Sequence, residues 1–155
     1  MLRRQRKYTI DTNLYIRAIR SAEATVALQQ FHTEYAPFEF LSAVVVKELL
    51  AGARNPQAAR RLQQLIFRPF EHRGRLLTPS YAAWKQAGEV LSNLVVTEGL
   101  QLTRTNRGFE SDVLLAMSCR EAGVTLVTEN RRDFERIARM SPFEFVDPWP
   151  SSSSH

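Results

Sequence analysis

Apolar residues along the chain fall into two alternating patterns, short β-leaning runs and longer stretches with helical spacing. Tyr8-Thr9-Ile10-Asp11 predicts a strand ending in an acid, and Leu14, Ala18 and Ile19 space the helix behind it. Ser21 is placed to cap a second helix with an apolar face of Ala24, Val26, Leu28 and Phe31, closed by Pro37. Phe38 to Leu41 predicts a strand. Ser42 then caps a helix through Val45, Val46, Leu49 and Leu50 that Gly52 ends. Asn55-Pro56 starts another, with Leu62, Leu65 and Ile66 as its stripe.

After a brief strand at Arg75-Leu76-Leu77, Ser80 opens a long helix carrying Trp84, Ala87, Leu91, Leu94 and Val95 up to Gly99. The polar stretch 101–110 reads as the longest loop. Ser111 begins a helix that is apolar nearly all round and therefore central, stopped by Gly123. Val124 to Thr128 predicts a strand buried on both faces. Asn130 caps a last helix before the strand Phe143-Glu144-Phe145. Strands alternating with helices imply an α/β fold with a largely parallel sheet.

Composition narrows this to one domain. The 155 residues are 44% apolar and 24% charged, enough for one layered core and too few for two. The expected division is a basic flexible arm at 1–7, a domain at 8–147 and a disordered tail at 148–155. No apolar run approaches the roughly 18 residues of a membrane span and no secretory signal is visible, so the expected location is cytoplasmic and off the membrane. A single cysteine, Cys119, excludes an internal disulfide, and the three histidines are scattered. The net charge of +5, with 18 of 21 basic residues arginine, leans toward a polyanion partner.

The candidate chemistry is acidic. In open α/β sheets functional groups gather beyond the carboxyl ends of the strands. Asp11 ends the first strand, Asp133 follows the fourth, Asp112 enters a central apolar helix, and Glu48 is the only acid between Ser42 and Gly52. Each has a plain structural reading: Asp112 and Asp133 as first-turn complements to a helix dipole, Glu48 as an exposed helix residue beside Lys47, Asp11 as a local cap. Brought together, they would repel by several kcal/mol at intermediate dielectric and would need a divalent cation. A set with no Cys or His favours Mg2+ or Mn2+ over zinc.

The segments Ile10-Asp11-Thr12-Asn13, Val46-Lys47-Glu48-Leu49-Leu50-Ala51-Gly52, Ser111-Asp112-Val113-Leu114-Leu115-Ala116 and Leu126-Val127-Thr128-Glu129-Asn130-Arg131-Arg132-Asp133-Phe134 together resemble the PIN-domain ribonucleases, specifically the VapC toxins of type II toxin-antitoxin modules. The resemblance spans about residues 8–146. It implies an α/β/α sandwich and a metal-dependent endoribonuclease that cleaves RNA by metal-activated water. It matches Asp11, Glu48 and Asp112 to the family's principal acids and Asp133 to the additional one, while many relatives carry the fourth acid where this chain has Asn130. Asp11 and Asp112 are expected to hold the metal, with Glu48 and Asp133 completing or orienting its water shell. Thr12 and Asn13 match polar positions supporting the first acid. Asn13, Thr128, Asn130, Arg131 and Arg132 are expected on the substrate side.

Further arginines at 54, 60, 61, 68, 73 and 75, and Arg104 and Arg107 in the expected loop, could follow a phosphate backbone or simply face solvent. Tyr81, Trp84, Phe31 and Tyr35 are expected to pack partly in the core. The resemblance also implies an antitoxin partner and a homodimer. Two other readings remain open from the residues: a PIN nuclease acting on DNA, and a non-catalytic PIN module binding RNA or protein. Glycine-rich nucleotide-binding motifs are absent from the sequence.

Overall fold

A computed structural model describes residues 5–102 and 107–151. The chain order is β1 (Lys7–Ile10), α1 (Thr12–Arg20), α2 (Ala22–Tyr35), β2 (Glu39–Ser42), α3 (Ala43–Ala51), α4 (Pro56–Leu62), α5 (Arg68–Arg73), β3 (Leu76–Leu77), α6 (Tyr81–Glu98), α7 (Arg107–Ala122), β4 (Val124–Val127), α8 (Arg131–Met140) and β5 (Phe145–Val146). The five strands form one sheet in the order β3-β2-β1-β4-β5, and every pairing is parallel. Helices flank it, as the alternating pattern predicts.

This order creates the position on which function depends. From β1 the chain builds outward to β2 and β3, then returns to the other side of β1 for β4 and β5. The connections therefore diverge between β1 and β4, and a crevice opens at their carboxyl ends. Thr9 pairs with Leu126 and Ile10 with Val127, so Asp11 and Thr128, the next residues, emerge side by side. Behind them, α7 fills the centre: Val113, Leu115, Ala116, Met117 and Cys119 are all fully buried. Gly123 turns the chain into β4 with φ 65°, a left-handed conformation that a Cβ would strain.

The caps expected at Ser21, Ser42, Asn55, Ser80 and Asn130 all form, each side chain accepting a backbone N–H of the following turn. Among the described residues no helix is long and apolar enough to cross a membrane.

Several expectations fail for identifiable reasons. Arg107 to Glu110 is helix, not loop, because Phe109 is buried and carries α7 back beyond Ser111. Between α4 and α5 the helical path passes through a π-helical segment, Gln63–Phe67. Its wider turn breaks the 3.6-residue stripe, leaving Leu65 71% exposed and burying Phe67 instead. Tyr81 and Trp84 are exposed, whereas Phe31 and Tyr35 are core. Val26 and Ile19 also face outward.

The domain edges shift as well. Lys7, assigned to a flexible arm, is in β1 and pairs with Val124. Trp149, assigned to a disordered tail, packs against Phe31 with ring centroids 5.2 Å apart. Of those two expected segments, residues 1–4 and 152–155 lie outside the described residues, as do Arg104 and the side chain of Arg107.

Candidate active site

The crevice at the carboxyl ends of β1 and β4 is a cavity of about 480 Å³ lined by Asp11, Glu48, Asp112 and Asp133, together with Asn13 and Asn130. Four different elements deliver the acids. Asp11 is the residue between β1 and α1, Glu48 lies on α3, Asp112 on α7 and Asp133 in the first turn of α8.

Asp11 is buried and caps α1. Its Oδ1 accepts the Thr12 N–H at 2.8 Å and its Oδ2 accepts the Thr128 hydroxyl at 2.7 Å. Burial pushes its carboxyl above the usual range, and these two hydrogen bonds work against that rise. The local-cap reading and the site reading therefore hold together for this residue. Thr12, through its Oγ1, also donates to Glu48 Oε1 at 2.9 Å, so one residue steadies two acids. Glu48 is likewise raised by burial, with Asp11 adding to the rise and Thr12 and Lys47 opposing it.

Asp112 is the most perturbed acid. Burial, followed by the neighbouring charges of Asp11, Glu48 and Asp133, pushes its carboxyl from 3.8 up to about 8. Since α7 already runs from Arg107, Asp112 stands beyond the first turn, and the helix-dipole reading does not account for it. Among the described residues its carboxylate accepts from the Asn130 amide nitrogen at 3.5 Å, a long contact. The same nitrogen donates to Asp133 Oδ2 at 3.1 Å, while Asn130 Oδ1 accepts the Asp133 N–H at 3.4 Å. Asn130 thus offers donors to two carboxylates and uses its carbonyl oxygen to cap α8. Lys47 Nζ, by contrast, is engaged with Ser111 Oγ at 2.8 Å.

The expected substrate-side residues separate into three groups. Asn13 is exposed at the cavity mouth. Thr128 is fully buried beneath Asp11, so it positions that acid and cannot meet substrate. Arg131 and Arg132 lie outside the acidic cavity. Arg131 binds Asp147 at 2.8 Å and Glu135 at 3.2 Å, and both arginines line a neighbouring cavity. None of the arginines between 54 and 75 lines the acidic cavity among the described residues.

One cation at the site escaped the sequence reading. Arg136 lines the acidic cavity, with its guanidinium 5.2 Å from the Phe109 ring centre and its Nε 2.6 Å from Glu98 Oε2. The available signal was the recurrence of arginine at 132, 136 and 139, helical spacing on one face.

Among the described residues, no three Asp, Glu, His or Cys side chains are drawn together closely enough to chelate an ion by themselves. An all-oxygen set with an unbalanced charge nevertheless fits Mg2+, which keeps several waters and takes one or two carboxylates directly. It fits zinc poorly.

The PIN domain family matches this sequence over residues 8–140. The chain belongs to the PIN-domain family. A relative of this PIN domain, the tRNA(fMet)-specific endonuclease VapC of Shigella flexneri, is 28% identical over 132 residues, covering 84% of this chain and 92% of the relative. DNA-bound VapBC from Salmonella typhimurium has the same fold at a TM-score of 0.69 and 22% identity, covering 92% of this PIN domain and 98% of the matched chain. FitAcB from Neisseria gonorrhoeae aligns at a TM-score of 0.64 and 20% identity, covering 93% and 99% respectively.

Proposed function

We propose that this PIN domain is a VapC-like, Mg2+-dependent endoribonuclease acting as the toxin of a toxin-antitoxin pair. The observation that carries the reading is the gathering of Asp11, Glu48, Asp112 and Asp133 around one cavity, with Asp112 pushed up to about 8 by burial and then by the charges of the others. A scaffold has no use for such repulsion. A cation-binding nuclease does, and the endonuclease relative covers most of this chain.

A divalent ion in the cavity supplies positive charge that eases deprotonation of water and stabilises charge developing on phosphate oxygens. Asp11 and Asp112 are the residues that hold it. Glu48, steadied by Thr12, and Asp133, steadied by Asn130, orient the surrounding waters. Asp133 serves as the fourth acid here, since Asn130 turns its amide nitrogen toward the carboxylates. Thr128 keeps Asp11 in place from below. Attack by water in line with the leaving oxygen leaves a 5′-phosphate and a 3′-hydroxyl. Mn2+ fits the same donors.

The antitoxin assignment rests on likeness to the endonuclease and to chains from VapBC and FitAcB. The test is cleavage of matched RNA and DNA strands by the wild type and by Asp11→Asn, in Mg2+ and in EDTA. The expected result is RNA cleavage by the wild type in Mg2+ alone. Cleavage of DNA in preference to RNA would move the substrate assignment, and undiminished RNA cleavage by Asp11→Asn would remove the site.

A further inference from the structure

The α8 wall of the acidic cavity carries cations that do not pair with the four acids. Arg132, Arg136 and Arg139 share one face of the helix and border a second cavity of about 740 Å³. Asp133 and Arg136 line both cavities, so the two adjoin. Across the second cavity, the last residue of α6, Glu98, faces the arginines. Its Oε2 accepts from Arg136 Nε at 2.6 Å, and its Oε1 stands 3.9 Å from Arg139 Nη2.

One carboxylate therefore meets two guanidiniums, one of them set against the Phe109 ring. A phosphodiester offers the same arrangement, one negative charge over two oxygens, and arginine forks match either anion. Glu98 is poorly suited to keep its place. It ends α6, where the helix dipole disfavours negative charge, so its hold comes from the arginines it neutralises. Arg132, further along the face, makes no ion pair among the described residues. Arg131 also lines this cavity, but its guanidinium is committed to Asp147 and Glu135.

We propose that Glu98 occupies an anion seat, and that during turnover a backbone phosphate of the RNA, next to the one being cut, displaces it. The strand then runs from the carboxylate cavity along the Arg132–Arg136–Arg139 face, and Glu98 acts as a built-in competitor that weakens RNA binding. This rests on the nuclease reading above and deepens it.

The test measures binding without cleavage, as fluorescence anisotropy of a labelled single-stranded RNA in EDTA. Glu98→Gln should tighten binding about three- to tenfold at low salt, because neutralising the competitor frees two phosphate contacts. Arg139→Ala, at a residue 65% exposed and therefore harmless to folding, should weaken binding and lower the slope of log affinity against log salt by about 0.7. In the Glu98→Gln/Arg139→Ala double variant most of the gain should be lost. The proposal is overturned if Glu98→Gln does not tighten binding, or if its gain persists undiminished without Arg139. If the binding changes appear as described but no RNA is cut in Mg2+, the seat stands and the nuclease reading alone fails.

Discussion

Replacing Asp112 by Asn should make the metal-free protein more stable while abolishing its activity. Burial and three neighbouring acids raise this carboxyl from 3.8 to about 8. Between those values the native state keeps a proton that the unfolded chain has released, so native stability falls as pH rises across that window. At about 1.36 kcal/mol per pH unit, the penalty at pH 7 has a ceiling of roughly 4 kcal/mol. Partial solvent exposure and salt screening bring that to about 1–3 kcal/mol. Asn carries no such penalty. With about 2–4 °C of Tm per kcal/mol for a domain of this size, the variant should melt roughly 3–8 °C above the wild type in EDTA at pH 7. The difference should nearly vanish at pH 4. Mg2+ should then raise the wild-type Tm and leave the variant almost unmoved, because only the wild type gains binding energy. Thermal unfolding by circular dichroism at the two pH values, with and without Mg2+, reads all of this. An Asn variant that melts below the wild type in EDTA at pH 7, or a gap of equal size at pH 4, would show that Asp112 carries no such penalty.

Thr128→Val removes the hydroxyl that Asp11 accepts at 2.7 Å, with little change of shape. RNA cleavage should fall about tenfold, mainly in kcat, and the acid limb of the pH profile should move upward as Asp11 loses a bond favouring its charged form; Thr128→Ser should restore most of the rate. Asn130→Ala removes the α8 cap and the amide between Asp112 and Asp133, so chemical denaturation should report a loss of about 1 kcal/mol or more, alongside reduced cleavage. Phe134→Ala empties a fully buried position under α8 and should cost about 3–5 kcal/mol in the same assay.

The site was legible in the sequence because its chemistry is tied to local signals. A strand ending in Asp11, a lone acid in an apolar helix at Glu48, and an acid on a central helix at Asp112 are visible as exceptions to their surroundings. The sheet direction was legible too, since strand-helix alternation admits little besides a parallel arrangement. What escaped depends on geometry that a fixed period does not encode. A π turn moved Leu65 outward and Phe67 inward, and the polar residues around Phe109 hid the start of α7. Arg136 was missed because its significance comes from Glu98 and Phe109, distant in sequence and brought close only by folding. Arg131 and Arg132 looked nearer the chemistry because they flank Asp133 in sequence, yet a helix sends consecutive side chains in different directions.

On the proposed function, these four acids gather to hold a divalent cation, and RNA cleavage depends on both. The most direct test is treatment of total RNA with the wild type and Asp112→Asn in Mg2+, with the new ends mapped. Discrete cuts bearing 5′-phosphates and 3′-hydroxyls from the wild type, lost in the variant and in EDTA, are the predicted result. Equal cutting by Asp112→Asn, or cutting that persists in EDTA, would contradict it.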